Sequence, residues 1–222
     1  GFTGAPALTC QGPHWLGLGE GWKMVTDTHY KPYPCCRWAH PSIDATEELM
    51  ARHALSHHDI ASVEIKTFHN ATRLAGHSPV SADEFAYSIA FPVACMIVRG
   101  QLGLSELDVS ALRNPEILRI SNATTLIDDP HLTQISDGKR WAQVSILLRD
   151  GTRHEAAPRT PRGDNDLPLS DKEISDKYHI FADPILGTEI AGRIETLCAK
   201  FDQLDADELQ SLLDIVLTKP GT

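Results

Sequence analysis

The sequence predicts an α+β fold, and three observations predict it. Strand-like alternation and helix-like periodicity interleave over residues 28–157. A stretch rich in Pro, Gly, Asp and Arg follows at residues 158–168. Beyond it only helical patterns appear. Mixed elements followed by a run of helices is the signature of an α+β unit with a helical appendix.

Composition sets the outer bounds. A chain of 222 residues with 41% hydrophobic and 23% charged side chains is long enough for a sizeable core. The net charge of −10 argues against nucleic acid or an anionic membrane surface as partner, because binding phosphates needs a basic face. It leaves room for a small anionic ligand, which needs only a local cluster of Lys, Arg and His. The five Cys are odd in number and show no framework spacing, so reduced thiols and a cytoplasmic location are expected. No apolar run reaches the roughly 18 residues of a spanning helix. The chain opens on Gly1-Phe2-Thr3-Gly4-Ala5-Pro6 without Met, which reads as a fragment whose first half lies elsewhere.

Taken in order, residues 1–28 alternate Gly and apolar groups; the run Trp15–Trp22 lacks the strand–turn–helix setting of a nucleotide loop. Residues 25–30 suit a short strand. Ser42 is an N-cap candidate for a helix to about His58, with Ile43, Leu49, Met50, Ala54 and Leu55 as its apolar stripe. His53 and His57 stand i,i+4, but no Glu follows the first His and no third ligand is close in sequence. No metal is therefore assigned, and His57 and His58 read as closing the helix at its negative end. Residues 61–68 alternate as a strand. Ser81-Ala82-Asp83-Glu84 opens a largely buried helix to Arg99, kinked at Pro92 and ended by Gly100. Residues 107–120 hold a further helix, starting at Ser110 or at Asn114-Pro115. Residues 123–127 make a short strand. Residues 141–148 and 152–157 form a hairpin about Asp150-Gly151. Three helices follow, at 170–181, 189–201 and 205–217; their apolar faces need something to pack on.

The chemistry concentrates in Tyr30–Ala45. These residues hold one Lys, one Arg, one His, two adjacent Cys, three aromatics and three Pro. Pro32 and Pro34 keep the first half extended, so charged groups crowd onto a stiff loop that runs into a helix. Lys31 suits an ammonium anchor or a base, Arg37 can grip a carboxylate in a bidentate fork or pair with Asp44, and His40 is the natural acid–base group or a cap for the Ser42 helix. Cys36 has no second feature to support a nucleophile. Tyr33 and Trp38 are packing or contact residues.

The phrase Lys31-Pro32-Tyr33-Pro34-Cys35-Cys36-Arg37-x-x-His40-x-x-Ile43-Asp44-Ala45 resembles the signature of the MmgE/PrpD family, which includes 2-methylcitrate dehydratase and cis-aconitate decarboxylase. Gly1–Gly4, Ser88–Gly100, Asp128-Asp129, the hairpin and Pro161-x-Gly163…Lys177-Tyr178 follow in the family's order. The resemblance covers this chain but only the C-terminal half of the usual family length. It implies a segment leaving a helical domain at 1–27, an α+β lid at 28–160, and at 161–222 a linker and helices packing on that helical domain. It implies a homodimer, no cofactor, and an active site between lid and helical domain for small di- and tricarboxylates. Lys31 and His40 match catalytic positions. Arg37, Tyr33, Cys36 and Phe91 are substrate-binding candidates. Cys36 stands where the decarboxylase branch can carry a His, and Phe91 where many relatives carry an active-site Tyr. The expected function is a dehydratase-type lyase. The alternatives are an epimerase, a decarboxylase, or a subunit inactive without a separate N-terminal helical chain.

Overall fold

The computed structural model describes residues 19–20 and 28–218. The readings for the Gly-rich opening and for most of the strand at 25–30 lie outside these residues; residues 28–30 are not strand. The fold is α+β, as the sequence predicts: one mixed sheet covered by helices, then helices alone.

Helix α1 runs from His40 to His53, three residues earlier than the Ser42 cap implied, because a 3₁₀ turn at Arg37–Ala39 feeds it directly and Pro41 sits in its first turn. It ends at Ala54, which takes the left-handed conformation (φ 48°). His57 and His58 therefore lie outside the helix, in a 3₁₀ turn His57–Asp59. Strand β1 (Ile60–Thr67) buries Val63, Ile65 and Thr67 in alternation. The expected kinked helix is two helices, α2 (Ala82–Ala86) and α3 (Ala90–Arg99). Pro92 falls in the first turn of α3, where its missing N–H costs nothing, so it starts a helix instead of bending one. Gly100 (φ 69°) caps α3. The 107–120 segment also divides, into α4 (Val109–Leu112) and α5 (Pro115–Asn122). Asp108 caps the first, and the Asn114 side chain accepts from the amides of Glu116 and Ile117 at the second. Strand β2 (Thr124–Asp128) leads into α6 (Pro130–Ile135), capped by Asp129 and not foreseen. Strands β3 (Ala142–Leu148) and β4 (Arg153–Glu155) are the expected hairpin.

The sheet order is β2-β1-β3-β4, with β1–β2 parallel and the other pairs antiparallel. Val63 stands opposite Ile146, and Ile65 opposite Val144. This face meets Ile43 and Leu49 of α1, Phe91 and Ile97 of α3, and Ile117 and Ile120 of α5 in one core. On the other face Arg153 donates to Glu64 at 2.8 Å. Helices α7 (Asp171–Leu186), α8 (Thr188–Ala199) and α9 (Ala206–Leu217) pack in sequence. His179 of α7 bridges Asp183 (2.7 Å) and Glu195 of α8 (3.0 Å), which raise its pKa. Ile185, Ile190, Phe201, Leu213, Val216 and Leu217 of this appendix stay exposed among the described residues. No helix among the described residues is long and apolar enough to cross a membrane.

Candidate active site

The motif loop is shaped from both sides by residues 159–164. Tyr30 donates its amide to the carbonyl of Gly163 at 2.9 Å. Gly163 (φ 91°) lies so close that a Cβ there would sit 1.9 Å from the Tyr30 carbonyl oxygen. Arg162 donates its amide to Asp44 Oδ2 (2.9 Å), its Nε to Asp44 Oδ1 (3.0 Å) and one terminal nitrogen to the Tyr33 hydroxyl (3.0 Å). Another terminal nitrogen reaches Glu173 of α7 at 2.6 Å. The expected linker is thus a pinned segment that ties the motif to the appendix.

Each sequence-predicted residue has a definite place. Lys31 is exposed, with its ammonium 3.4 Å from the Cys35 carbonyl. Tyr33 is buried and donates to Asp44 at 2.8 Å; burial and the Asp44 and Glu47 charges push its phenol well above the usual range. Arg37 grips Asp164 with two nitrogens, one of them Nε at 2.9 Å; it is Asp164, not Asp44, that fills its fork. Cys36 is half-buried. His40 is 1% exposed. Its Nε2 donates to the Cys35 carbonyl at 3.2 Å, which fixes the tautomer because a carbonyl only accepts. Burial lowers its pKa to about 4, so the ring is neutral at pH 7. Phe91 is fully buried edge-to-face on Phe85, with ring centres 5.8 Å apart.

A cleft of about 650 Å³ opens beside the motif. Pro32, Tyr33, Glu47 and Arg162 form one side, residues 100–105 a second, and Glu173, Asp176, Lys177, Ile180 and Phe181 of α7 the third. The 100–105 wall is braced by Glu106, fully buried, which accepts from the Gly103 amide (2.7 Å), Ser105 (2.8 Å) and Arg99 (3.1 Å). Burial raises its pKa, but these donors outweigh burial and hold it below the usual carboxylate value. Of the sequence-predicted residues Tyr33 lines this cleft, Lys31 and Arg37 are not among its lining residues, and Phe91 belongs to the core against the sheet.

Sequence reasoning quoted Lys177 within the resemblance but gave it no place in the site. Its ammonium donates to the Lys31 carbonyl, and its pKa is lowered by burial first and by the charge of Lys31 second. It also missed Arg162 and Asp164, which the Pro-rich composition of 158–168 disguised as linker. The two Arg and two Asp crowded into residues 159–166 were the available signal.

These residues lie in a region that matches a known domain. The MmgE/PrpD C-terminal domain matches residues 33–203. Cis-aconitate decarboxylase-like protein oryM of Aspergillus oryzae is 25% identical over 208 residues, which are 88% of this chain and 42% of that protein. The chain therefore spans less than half the length of that curated relative. On the domain match and the KPYPCCR motif, this chain belongs to the MmgE/PrpD family.

Proposed function

We propose that the protein acts as a lyase on a small di- or tricarboxylic acid, abstracting a proton α to a carboxylate and expelling water from the neighbouring carbon. The observation that carries this reading is Lys177 in the cleft wall: its ammonium donates to the Lys31 backbone carbonyl, and its pKa is lowered by burial first and by the charge of Lys31 second. Two like charges brought together repel; an anionic ligand between them relieves the repulsion. As the proton leaves, negative charge spreads onto the carboxylate, and a fixed ammonium stabilises that charge more than the ground state. Lys31, exposed, is the catalytic candidate. His40 is proposed as a positioning residue, since its Nε2 is committed to Cys35 and its ring is neutral and enclosed. Tyr33 and Arg162 shape the binding wall, and Arg37 orients the loop through Asp164.

The name of the fungal relative favours a second reading, decarboxylation of cis-aconitate. The same ammonium groups would stabilise the carbanion left by CO2. Phe91 offers no hydroxyl to protonate it. The helical half expected from the resemblance is proposed as the cover for the exposed faces of α7–α9, and a homodimer as the working state.

Assays with 2-methylcitrate, cis-aconitate and amino-dicarboxylates test the reading. Dehydration with no CO2 release is expected, with Lys31→Ala losing about 100-fold or more in kcat. Release of CO2 from cis-aconitate would select the second reading. Full activity in Lys31→Ala would overturn both. A homogeneous, active monomer of this chain alone would overturn the proposed partner.

A further inference from the structure

At the far end of α1 from the motif, about 20 Å along the helix axis, two imidazoles and a carboxylate converge. His57 and His58 belong to the 3₁₀ turn before β1; Glu116 stands in the first turn of α5. One ligand atom from each lies within 4.8 Å of the other two. His57 Nδ1 is buried and finds no hydrogen-bond partner among the described residues. It is 3.6 Å from Glu116 Oε2, too far for a hydrogen bond. That distance is close to the roughly 3.4 Å separating two ligands of one tetrahedral zinc ion with metal–ligand bonds of about 2.0–2.2 Å.

We propose that His57, His58 and Glu116 form a structural site for a divalent transition-metal ion of the zinc class. The surroundings hold these groups in place. Arg119 donates to the His57 carbonyl at 2.8 Å and to the Ile60 carbonyl at 3.1 Å, and Arg149 donates to the His58 carbonyl at 2.9 Å, so the turn is fixed from both sides. Arg119 Nε also donates to Glu116 Oε2 at 2.9 Å, keeping the carboxylate ionised and leaving its other lone pairs for an ion. The His58 ring is exposed and tilted 40° to that of His57, with centres 3.9 Å apart, so rotation about its side-chain bonds is open to bring it onto an ion.

The donor set selects the ion. Two imidazoles and one carboxylate suit zinc, cobalt or nickel, whereas calcium and magnesium want oxygen ligands. The Arg119 charge and the positive end of α5 further disfavour an ion held by charge alone. The ion ties the turn that enters β1 to the start of α5. The pair His53 and His57, the i,i+4 spacing in the sequence, is not the site: His53 stacks on His154 instead, with ring centres 4.0 Å apart.

Titration of the full chain, without a His tag, with Zn²⁺ by calorimetry and with Co²⁺ by visible absorption tests the proposal. One equivalent is expected, with a tetrahedral cobalt spectrum and a raised Tm. His57→Ala and Glu116→Gln are each expected to weaken binding by about tenfold or more, and His53→Ala to leave it unchanged. Circular dichroism checks each fold; if His57→Ala does not fold, His58→Ala, at an exposed ring, takes its place. Absence of saturable binding, binding that survives the ligand variants, or binding lost in His53→Ala overturns the site.

Discussion

At the scale of single residues, His40 and Gly163 set the motif's shape by opposite means. His40 is a buried neutral imidazole whose pKa falls from about 6.5 in an unfolded chain to about 4. Between those values the unfolded state binds the proton and the folded state does not. Stability from this residue is therefore complete above pH 6.5 and is lost as pH falls towards 4, by up to about 3 kcal/mol. Urea titrations at pH 7 and pH 5 should show this slope, and His40→Asn should flatten it. Gly163 has no such titration; its role is steric. An added methyl collides with the Tyr30 carbonyl at a positive φ, so Gly163→Ala should destabilise by more than about 1 kcal/mol, read as a fall in Tm. The candidate site was legible where it is local in sequence: Lys31, Tyr33, Arg37 and His40 stand within ten residues. It was not legible where it depends on distant partners. Arg162 and Asp164 lie more than a hundred residues on, and no spacing rule links them to Asp44 or Arg37.

At the scale of elements, most helices and all four strands could be read from periodicity, because each buries one face and exposes the other. Apart from α6, which was not foreseen, the errors were at ends and breaks. Helix α1 was read past Ala54 because Leu55 continues its apolar stripe; the backbone instead turns left-handed at a residue with a Cβ. Ala54→Gly removes that penalty at an exposed position and is expected to raise stability by about 0.5–1 kcal/mol in thermal melts. The helix over 81–99 was read as continuous because apolar residues persist through it, although the chain breaks at 87–89. Between elements, Arg162 joins α1 to α7 through Asp44 and Glu173. Arg162→Met leaves the buried Asp44 carboxylate with one charged partner fewer, at a cost of about 3 kcal/mol. Chemical denaturation would measure it, and an unchanged midpoint would deny Arg162 this role.

At the scale of the whole molecule, the sheet-centred part and the appendix differ in how completely they cover themselves. The core on the sheet encloses Phe85, Phe91, Ile65 and Ile146 fully, while α7–α9 and the turn between α8 and α9 leave Ile185, Phe201, Val216 and Leu217 in the open. Apolar side chains grouped this way bind hydrophobic dyes. The chain alone is expected to enhance the fluorescence of such a dye, and Val216→Lys with Leu217→Lys to reduce it without loss of helix signal. A dye response unchanged by these substitutions would place the apolar surface elsewhere. The closeness of Tyr30 to Gly163 has a consequence in time. On the ribosome the motif emerges first, and its counterparts follow some 130 residues later. At usual elongation rates that is on the order of ten seconds. Through that interval Tyr33 and Arg37 have no Arg162 or Asp164 to hold, so chains stalled short of residue 160 should be cut at the motif by protease. Chains carried past residue 170 should resist. The segment that holds the most chemistry is thus made well before the residues that finish it.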